Sequence, residues 1–566
     1  MHKDLKEENE FKDLKITFSF ESLALHDGEE VRSHEHYHIC ESIQIQQIPL
    51  PTNFRSFMSC KSEPFYREKQ GKFLASSYLK KLVRKMCLIA GGRDKNIKSK
   101  LITMIKSGQH RGRDSFGVWT NRGILKSEDF SEVNEIPNGD IGLLQCRLAM
   151  TGSKSFTQPF YNEFVLVHNG EIYNHKQVRG FLESKGVEFE SDVDTEVILR
   201  FLEFLIETNK PISQAVSELM MALNGDYAVA FSDKENIYLF RDPIGIRPLY
   251  YSPNGFFASE KKVLWKIGEI AIPVKPGTLI KISASRIEAL ELLSPLELKG
   301  KLFNYEQAKL GIQKGLDYST KLRSSKRVGV LFSGGLDSSL IALLAKKYSK
   351  EVILYTAGAE GSPDLEWARK VSEQLDLTLK EYVFDLEKVK EAIYPVMFAV
   401  EEPNAMNLAI GIPMYFATKL AAEDGTKILL SGQGADELFG GYAKYITNPS
   451  LMEKDLIKMG EKNLARDDKI AMLNGVEGRF PFLDLNLVRT GLRAPKEYKI
   501  NNRIRKAILR EVALEFGLPK EVAYREKKAC QYGTNAQKLL TKIAKQEGLK
   551  LSQFAEKLFK EVFEQR

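Results

Sequence analysis

The run Val330-Leu-Phe-Ser-Gly-Gly-Leu-Asp-Ser-Ser339 joins an apolar strand to a loop of glycines, hydroxyls and one carboxylate, and Leu340-Ile-Ala-Leu-Leu-Ala345 continues it as an apolar helix. Such a loop grips pyrophosphate. Gly334 and Gly335 let the backbone approach an anion closely, the helix offers unpaired N–H groups at its positive end, and Ser333, Ser338 and Ser339 add hydroxyl donors. Asp337 can hold a magnesium ion against the phosphates. No Gly-Lys-Ser/Thr of the Walker type is present, which turns the reading from γ-phosphoryl transfer to adenylyl chemistry. A second loop, Ser431-Gly-Gln-Gly-Ala-Asp-Glu-Leu-Phe-Gly-Gly-Tyr442, follows the strand-like Lys427-Ile-Leu-Leu430. Asp436 on it and Asp337 on the first could share one metal and stabilise pyrophosphate as a leaving group.

The elements that must carry these loops alternate. Strand-like Val328–Phe332 precedes helical Ser339–Tyr348, Val352–Thr356 precedes Asp364–Leu375, and Lys427–Leu430 precedes a further helical stretch. That rhythm predicts βαβ units and a parallel sheet with ligands at its carboxyl edge. Between Met86 and about residue 290, short strand-like runs (Phe164–Val167, Tyr227–Phe231, Ile237–Phe240) mix with helical stretches such as Thr195–Leu205, which predicts a layered α+β domain. The expected division is therefore 86–290 and 291–566, after a leader of residues 1–85 with weak periodicity.

Composition narrows the classes. A formal charge of +8 on 566 residues is mild and its basic residues are interspersed with acids, so no nucleic-acid partner is indicated. Five cysteines, none in a Cys-x-x-Cys pair, do not make a disulfide framework, and the chain reads as cytoplasmic and reduced. No run is long and apolar enough to span a bilayer, and none resembles a signal peptide.

The two glycine-rich loops resemble the ATP pyrophosphatase (PP-loop) enzymes and, more narrowly, the synthetase half of glutamine-dependent asparagine synthetases. The similarity continues through Gly361-Ser-Pro-Asp-Leu365, Glu401-Glu-Pro403, Val476-Glu-Gly-Arg-Phe-Pro-Phe-Leu-Asp484 and Arg525-Glu-Lys-Lys-Ala-Cys-Gln-Tyr-Gly533. The resemblance implies an adenine nucleotide α-hydrolase-like domain in which ATP and aspartate give a β-aspartyl-adenylate and pyrophosphate, and ammonia then displaces AMP. It implies nucleotide contacts for Leu331, Ser333, Ala357, Ser431 and Gly432, and makes Lys527 the pyrophosphate-facing lysine, whose ammonium would neutralise developing charge. One position departs from the family pattern: Gln433 stands where the loop usually carries a glutamate. An amide is no base near neutral pH, so Glu437, Asp467 or Asp468 would serve, base help is dispensable, or the acceptor is a carboxylate other than aspartate.

In the first half, Met86-Cys-Leu-Ile-Ala-Gly-Gly92 is followed by His110-Arg-Gly-Arg-Asp-Ser-Phe-Gly117, Cys146-Arg-Leu-Ala-Met150, His168-Asn-Gly-Glu-Ile-Tyr-Asn174 and Asp192-Val-Asp-Thr-Glu196. This series resembles the class II glutamine amidotransferases, an N-terminal-nucleophile αββα sandwich. An amino-terminal cysteine carries its own base, because a free α-amine titrates near about 7.7–8.0. The resemblance implies that Cys87 attacks the glutamine amide, that Asn169 and the Gly170 N–H form the oxyanion hole, and that Glu171 helps bind glutamine. Arg147 suits the glutamine α-carboxylate and Asp194 its α-ammonium; capping of a helix starting at Thr195 is the other reading of Asp194.

Acylation of the Cys87 nitrogen would abolish that base, so residues 1–85 are expected to be either a mis-assigned start ahead of Met86 or a propeptide. The leader's Ser33-His-Glu-His-Tyr-His38 looks like a metal ligand set, but no second ligand cluster accompanies it. Arg241-Asp-Pro-Ile-Gly-Ile-Arg-Pro-Leu-Tyr250 reads as structural. Phe554, Leu558, Phe559, Val562 and Phe563 follow helical spacing, for packing on the synthetase half or, as the second option, a homodimer contact. The expected partners are small molecules, namely glutamine, aspartate and ATP, with Mg2+.

Overall fold

In the computed structural model, which describes residues 87–112, 114–147, 157–526 and 529–564, the chain after Cys87 builds two antiparallel sheets. The first has seven strands, in spatial order Ile272–Pro273, Tyr250–Tyr251, Phe256–Ala258, Leu88–Arg93, Ile141–Arg147, Ser115–Thr120 and Gly123–Ser127. The second has six: Ile287–Glu291, Thr278–Ile282, Ile237–Arg241, Gly225–Ser232, Val165–Ile172 and Phe160–Tyr161. Side chains alternate across each strand, so one strand serves two layers. Ile89 and Leu143 meet Val167, Ala228 and Leu239 of the other sheet. Leu88, Ala90 and Leu144 turn the opposite way, onto Leu101, Met104 and Leu264 of the helices Ile97–Gly108 and Lys261–Lys266. The helix Asp194–Glu207 packs against the strand Val165–Ile172 of the second sheet, completing the expected αββα layering.

The second half winds around a five-stranded parallel sheet ordered Thr378–Val383, Glu351–Gly358, Arg327–Leu331, Ile428–Leu430 and Glu477–Arg479. The chain enters at the central strand, moves outward to one side through the next two, and returns to fill the other. Its direction therefore reverses between Arg327–Leu331 and Ile428–Leu430, the point at which sheets of this kind take ligands at their carboxyl ends. Both glycine-rich loops leave from these two strands. They touch: a Cβ on Gly432 would lie 2.7 Å from Cβ of Asp337.

The helix after the first loop begins at Leu336, not Ser339, with Gly335 as its cap, so Asp337 lies in the first turn, where the helix dipole favours a carboxylate. Tyr355 and Leu429 of the sheet share one core with Ile412, Phe416, Ile470, Leu540, Phe554 and Leu558. The helix Leu551–Phe563 thus packs on the second half, and its Phe559 and Phe563 rings also meet Trp265 of the first half, at 5.9 and 5.1 Å between centroids. Among the described residues no helix is long and apolar enough to cross a membrane. The leader 1–85, with its histidine run, lies outside the described residues.

Two candidate active sites and the buried ionic seam between them

Cys87 stands at the head of the strand Leu88–Arg93, and the five residues named with it from the sequence converge there. Arg147, Asn169, Gly170, Glu171 and Asp194 line one pocket with Cys87. Arg147 closes the strand that pairs directly with Leu88–Arg93, while Asn169, Gly170 and Glu171 sit consecutively on Val165–Ile172. Asp194 does not cap its helix; Val193 holds the cap position, and the Asp194 carboxylate instead accepts the Ile172 N–H at 2.9 Å. Its orientation toward the pocket is thereby fixed.

Asn169 is buried, and its Nδ2 donor has no hydrogen-bond partner among the described residues. A buried amide donor left unused is what an oxyanion would engage. Burial pushes the Glu171 carboxyl up to about 8, against the opposing pull of Arg479. Cys146, on the neighbouring strand, is buried, and burial followed by the proximity of Cys87 pushes its thiol up and out of reactivity.

Gly170 lies opposite Tyr227 in the ladder at φ +148°, and an added Cβ would fall 1.9 Å from the Asp226 carbonyl oxygen and 2.7 Å from Tyr227 Cα. Both obstacles are backbone. Gly170→Ala is therefore expected to pry the two strands apart, costing about 1–3 kcal/mol in a thermal melt and removing glutamine hydrolysis through displacement of its N–H. A melt and glutaminase rate equal to wild type would contradict the placement.

At the carboxyl edge of the parallel sheet, Ser338 Oγ accepts the Ser333 N–H at 3.3 Å, and Ser333 Oγ accepts that of Gly335 at 3.4 Å. The loop is clamped from outside: Trp367 donates to the Gly334 carbonyl at 2.7 Å and Arg525 to that of Ser333 at 2.9 Å. Gly334 has φ +65°, and a Cβ there would strike the Trp367 ring at 2.7 Å. Leu331, Ala357 and Ser431 mark the carboxyl ends of three neighbouring strands, with Gly432 next in chain. Lys527 lies outside the described residues. Asp337 and Asp436 come together around a residue the sequence did not suggest: Lys506 Nζ is 2.6 Å from Asp337 Oδ2 and 2.7 Å from Asp436 Oδ1.

Of the three carboxylates that could replace a base at Gln433, two are committed elsewhere. Asp468 is fully buried with each oxygen on a different guanidinium, and Asp467 is held by Arg466 at 2.7 and 2.8 Å. Glu437 accepts from two neutral donors, the Tyr442 hydroxyl at 3.1 Å and the Asn463 amide at 3.5 Å.

Sequence reasoning missed the seam that joins the halves. Arg111 donates to the Cys87 carbonyl at 3.0 Å, to Glu260 at 2.9 Å and across to Asp468 at 3.0 Å. Arg247, from the segment read as merely structural, donates to Asp468 at 2.9 Å and to Glu477 at 3.2 Å, and both it and Glu477 line the Cys87 pocket. Glu401 of the Glu-Glu-Pro motif faces Lys262 at 3.3 Å and Lys469 at 2.6 Å. Arg479 bonds Glu477 at 2.9 Å and approaches Glu171 at 3.6 Å, while its carbonyl accepts the Ser431 N–H at 3.0 Å. One short strand, Glu477–Arg479, thus touches the Cys87 pocket and the second phosphate loop. Asp468→Asn would leave two buried guanidinium groups short of a counter-charge, an expected loss of about 3–5 kcal/mol in denaturant unfolding. A loss below about 1 kcal/mol, the range of exposed ion pairs, would mean that the seam is hydrated.

A family model described as asparagine synthase matches residues 312–454 and 449–565, and one described as a glutamine amidotransferase domain matches residues 86–292. A Methanocaldococcus jannaschii protein that carries the name of a glutamine-hydrolysing asparagine synthetase is 36% identical over 537 residues, covering 82% of this chain and 96% of that one. Asparagine synthetase B of Escherichia coli is 29% identical over 470 residues, covering 76% of this chain and 78% of its own. A glutamine-hydrolysing asparagine synthetase of Zea mays is 28% identical over 468 residues, covering 76% and 74%.

Proposed function

The chain belongs to the family of glutamine-hydrolysing asparagine synthetases, and we propose that it makes asparagine from aspartate, ATP and glutamine-derived ammonia with the residues gathered at its two sites. The observation that carries this reading is the Cys87 pocket, which holds the six glutamine-site residues together with Glu477 of the nucleotide-site sheet.

In the first reaction the α-amine of Cys87, exposed once the preceding residues are absent, takes the thiol proton. The thiolate attacks the glutamine side-chain amide, with Arg147 on the α-carboxylate and Asp194 on the α-ammonium. Asn169 Nδ2 and the Gly170 N–H hold the oxyanion, ammonia leaves, and water cleaves the thioester. Glu171, on the same strand as Asn169 and Gly170, adds a polar contact to the bound glutamine. The ammonia then passes to the second site, which the strand Glu477–Arg479 joins to the first.

In the second reaction the aspartate side-chain carboxylate attacks the α-phosphate of ATP, pyrophosphate departs, and ammonia displaces AMP from the β-aspartyl-adenylate. Ser333, Gly334, Gly335 and Ser338 cradle the phosphates; Leu331, Ala357, Ser431 and Gly432 flank the nucleotide, and the role of neutralising charge on the pyrophosphate falls to the Lys527 ammonium. Asp337 and Asp436 would hold Mg2+, a hard cation that favours carboxylate oxygens, and the ammonium already lying between them marks a point where positive charge is stabilised. When bound, the ion supplies charge neutralisation at the β- and γ-phosphates. Glu437 takes the proton from the attacking ammonia in place of Gln433.

Incubation with amide-15N glutamine, aspartate and ATP tests the proposal. The expected result is one 15N-asparagine, one AMP and one pyrophosphate per glutamine consumed under coupled conditions. Pyrophosphate release only with another carboxylic acid would overturn the choice of acceptor.

A further inference from the structure

Lys506 is buried, with 4% of its surface exposed, and its ammonium meets three carboxylate oxygens: Asp337 Oδ1 at 2.7 Å, Asp337 Oδ2 at 2.6 Å and Asp436 Oδ1 at 2.7 Å. The two Asp337 oxygens take hydrogen bonds from it, and Asp436 Oδ1 pairs with it by charge at ion-pair distance. The surroundings are shaped to this contact. Lys506 has φ +57°, a left-handed conformation that a lysine adopts at a cost, and its carbonyl accepts the Arg510 N–H at 2.9 Å. Gly441 is required beside it, because a Cβ there would lie 1.8 Å from Asp436 Oδ1 and 2.4 Å from Lys506 Cε. Arg505 donates to the Gly441 carbonyl at 2.8 Å and holds that glycine in place.

Among the described residues no group of three or more His, Cys, Asp or Glu side chains could hold a metal, so the pair Asp337 and Asp436 has no third protein ligand of that kind. A metal ion between them must draw its remaining ligands from elsewhere. The lysine ammonium, already four-bonded, needs no further ligands; a divalent ion would take them from phosphate oxygens and water. Both cannot occupy the same few cubic ångströms between the same oxygens.

We propose that Lys506 is a positioning residue that holds the metal's place in the nucleotide-free enzyme and passes to the phosphates when nucleotide and divalent ion enter together. This rests on the assignment of Asp337 and Asp436 as the metal-binding pair. Without nucleotide the ammonium neutralises the two carboxylates and competes with free divalent ions. With nucleotide, the carboxylates turn to the ion, and the flexible four-carbon stem lets the ammonium follow onto a phosphate oxygen. No bond is made or broken in this exchange. Its consequence is that the ion is admitted with its phosphate ligands and is not held idle by the empty enzyme.

Mn2+, titrated into the full-length nucleotide-free enzyme and followed by its electron paramagnetic resonance signal, provides the test. Lys506→Met keeps the stem and removes the charge; it should bind Mn2+ about tenfold or more tighter than wild type, since a competitor that fills the site lowers apparent affinity by the fraction of empty sites. Lys506→Arg, which keeps the charge, should bind as weakly as wild type. Adding Asp337→Asn to Lys506→Met should abolish the gain. If Lys506→Met fails a thermal melt, Lys506→Gln is read in its place. Mn2+ affinity unchanged or weakened by removal of the charge, yet still sensitive to Asp337→Asn, would overturn the role of Lys506 alone. Binding insensitive to Asp337→Asn would overturn the metal assignment as well.

Discussion

Cys87→Ala is expected to reduce glutamine-dependent asparagine synthesis by about a thousandfold or more while leaving ammonium-dependent synthesis within a few-fold of wild type. The asymmetry follows from geometry. In the proposed reactions the sulfur is the attacking atom of the first and has no part in the second, and its side chain is half-buried at a strand end, so truncation opens little core. What the variant keeps is equally informative: Arg111 grips the Cys87 carbonyl, which alanine retains, so the seam to Asp468 stays assembled. Parallel assays with glutamine and with ammonium chloride check this. Equal loss of both activities would mean that Cys87 is not the nucleophile or that it supports the nucleotide site.

Asp337→Asn is the mirror case. Pyrophosphate release should fall by about a hundred- to a thousandfold with either nitrogen source, as expected when a charge that stabilises the leaving group is lost. Glutamine hydrolysis measured alone should persist, because neither Asp337 nor any other residue of the first phosphate loop lines the Cys87 pocket. The amide keeps the shape of the carboxylate and its place in the first turn of the helix Leu336–Tyr348, so the effect reads charge and not packing. Retention of pyrophosphate release near the wild-type rate would remove Asp337 from the reaction.

What was legible in the sequence was local. The phosphate loop announces itself because a strand, two glycines, a carboxylate and a helix must be consecutive to work, and the Cys87 site because its motifs follow one another in an order that resembles a known family. The helix start at Leu336 was misplaced by three residues because Gly335 caps it with backbone geometry that needs no side-chain signal. The reading of Asp194 as a possible cap was equally local; the hydrogen bond that replaces it comes from Ile172, 22 residues away. The seam was not legible for the same reason on a larger scale. Arg111 and Asp468 are 357 residues apart, and nothing near either predicts that their charges will be buried against each other. Arg247 looked structural because its motif is rich in turns, and it is structural, but across the boundary between the halves. Lys506 lies in a stretch of ordinary mixed charge, and only the fold brings its ammonium between the two loop aspartates.

The account rests most heavily on the α-amine of Cys87 serving as the base for its own thiol. Intact-mass and amino-terminal sequence analysis of protein purified in a glutamine-active form tests this directly. The account predicts that the active species begins at Cys87 with an unmodified amine. Full glutamine-dependent activity in protein that still carries a peptide bond ahead of Cys87 would contradict it.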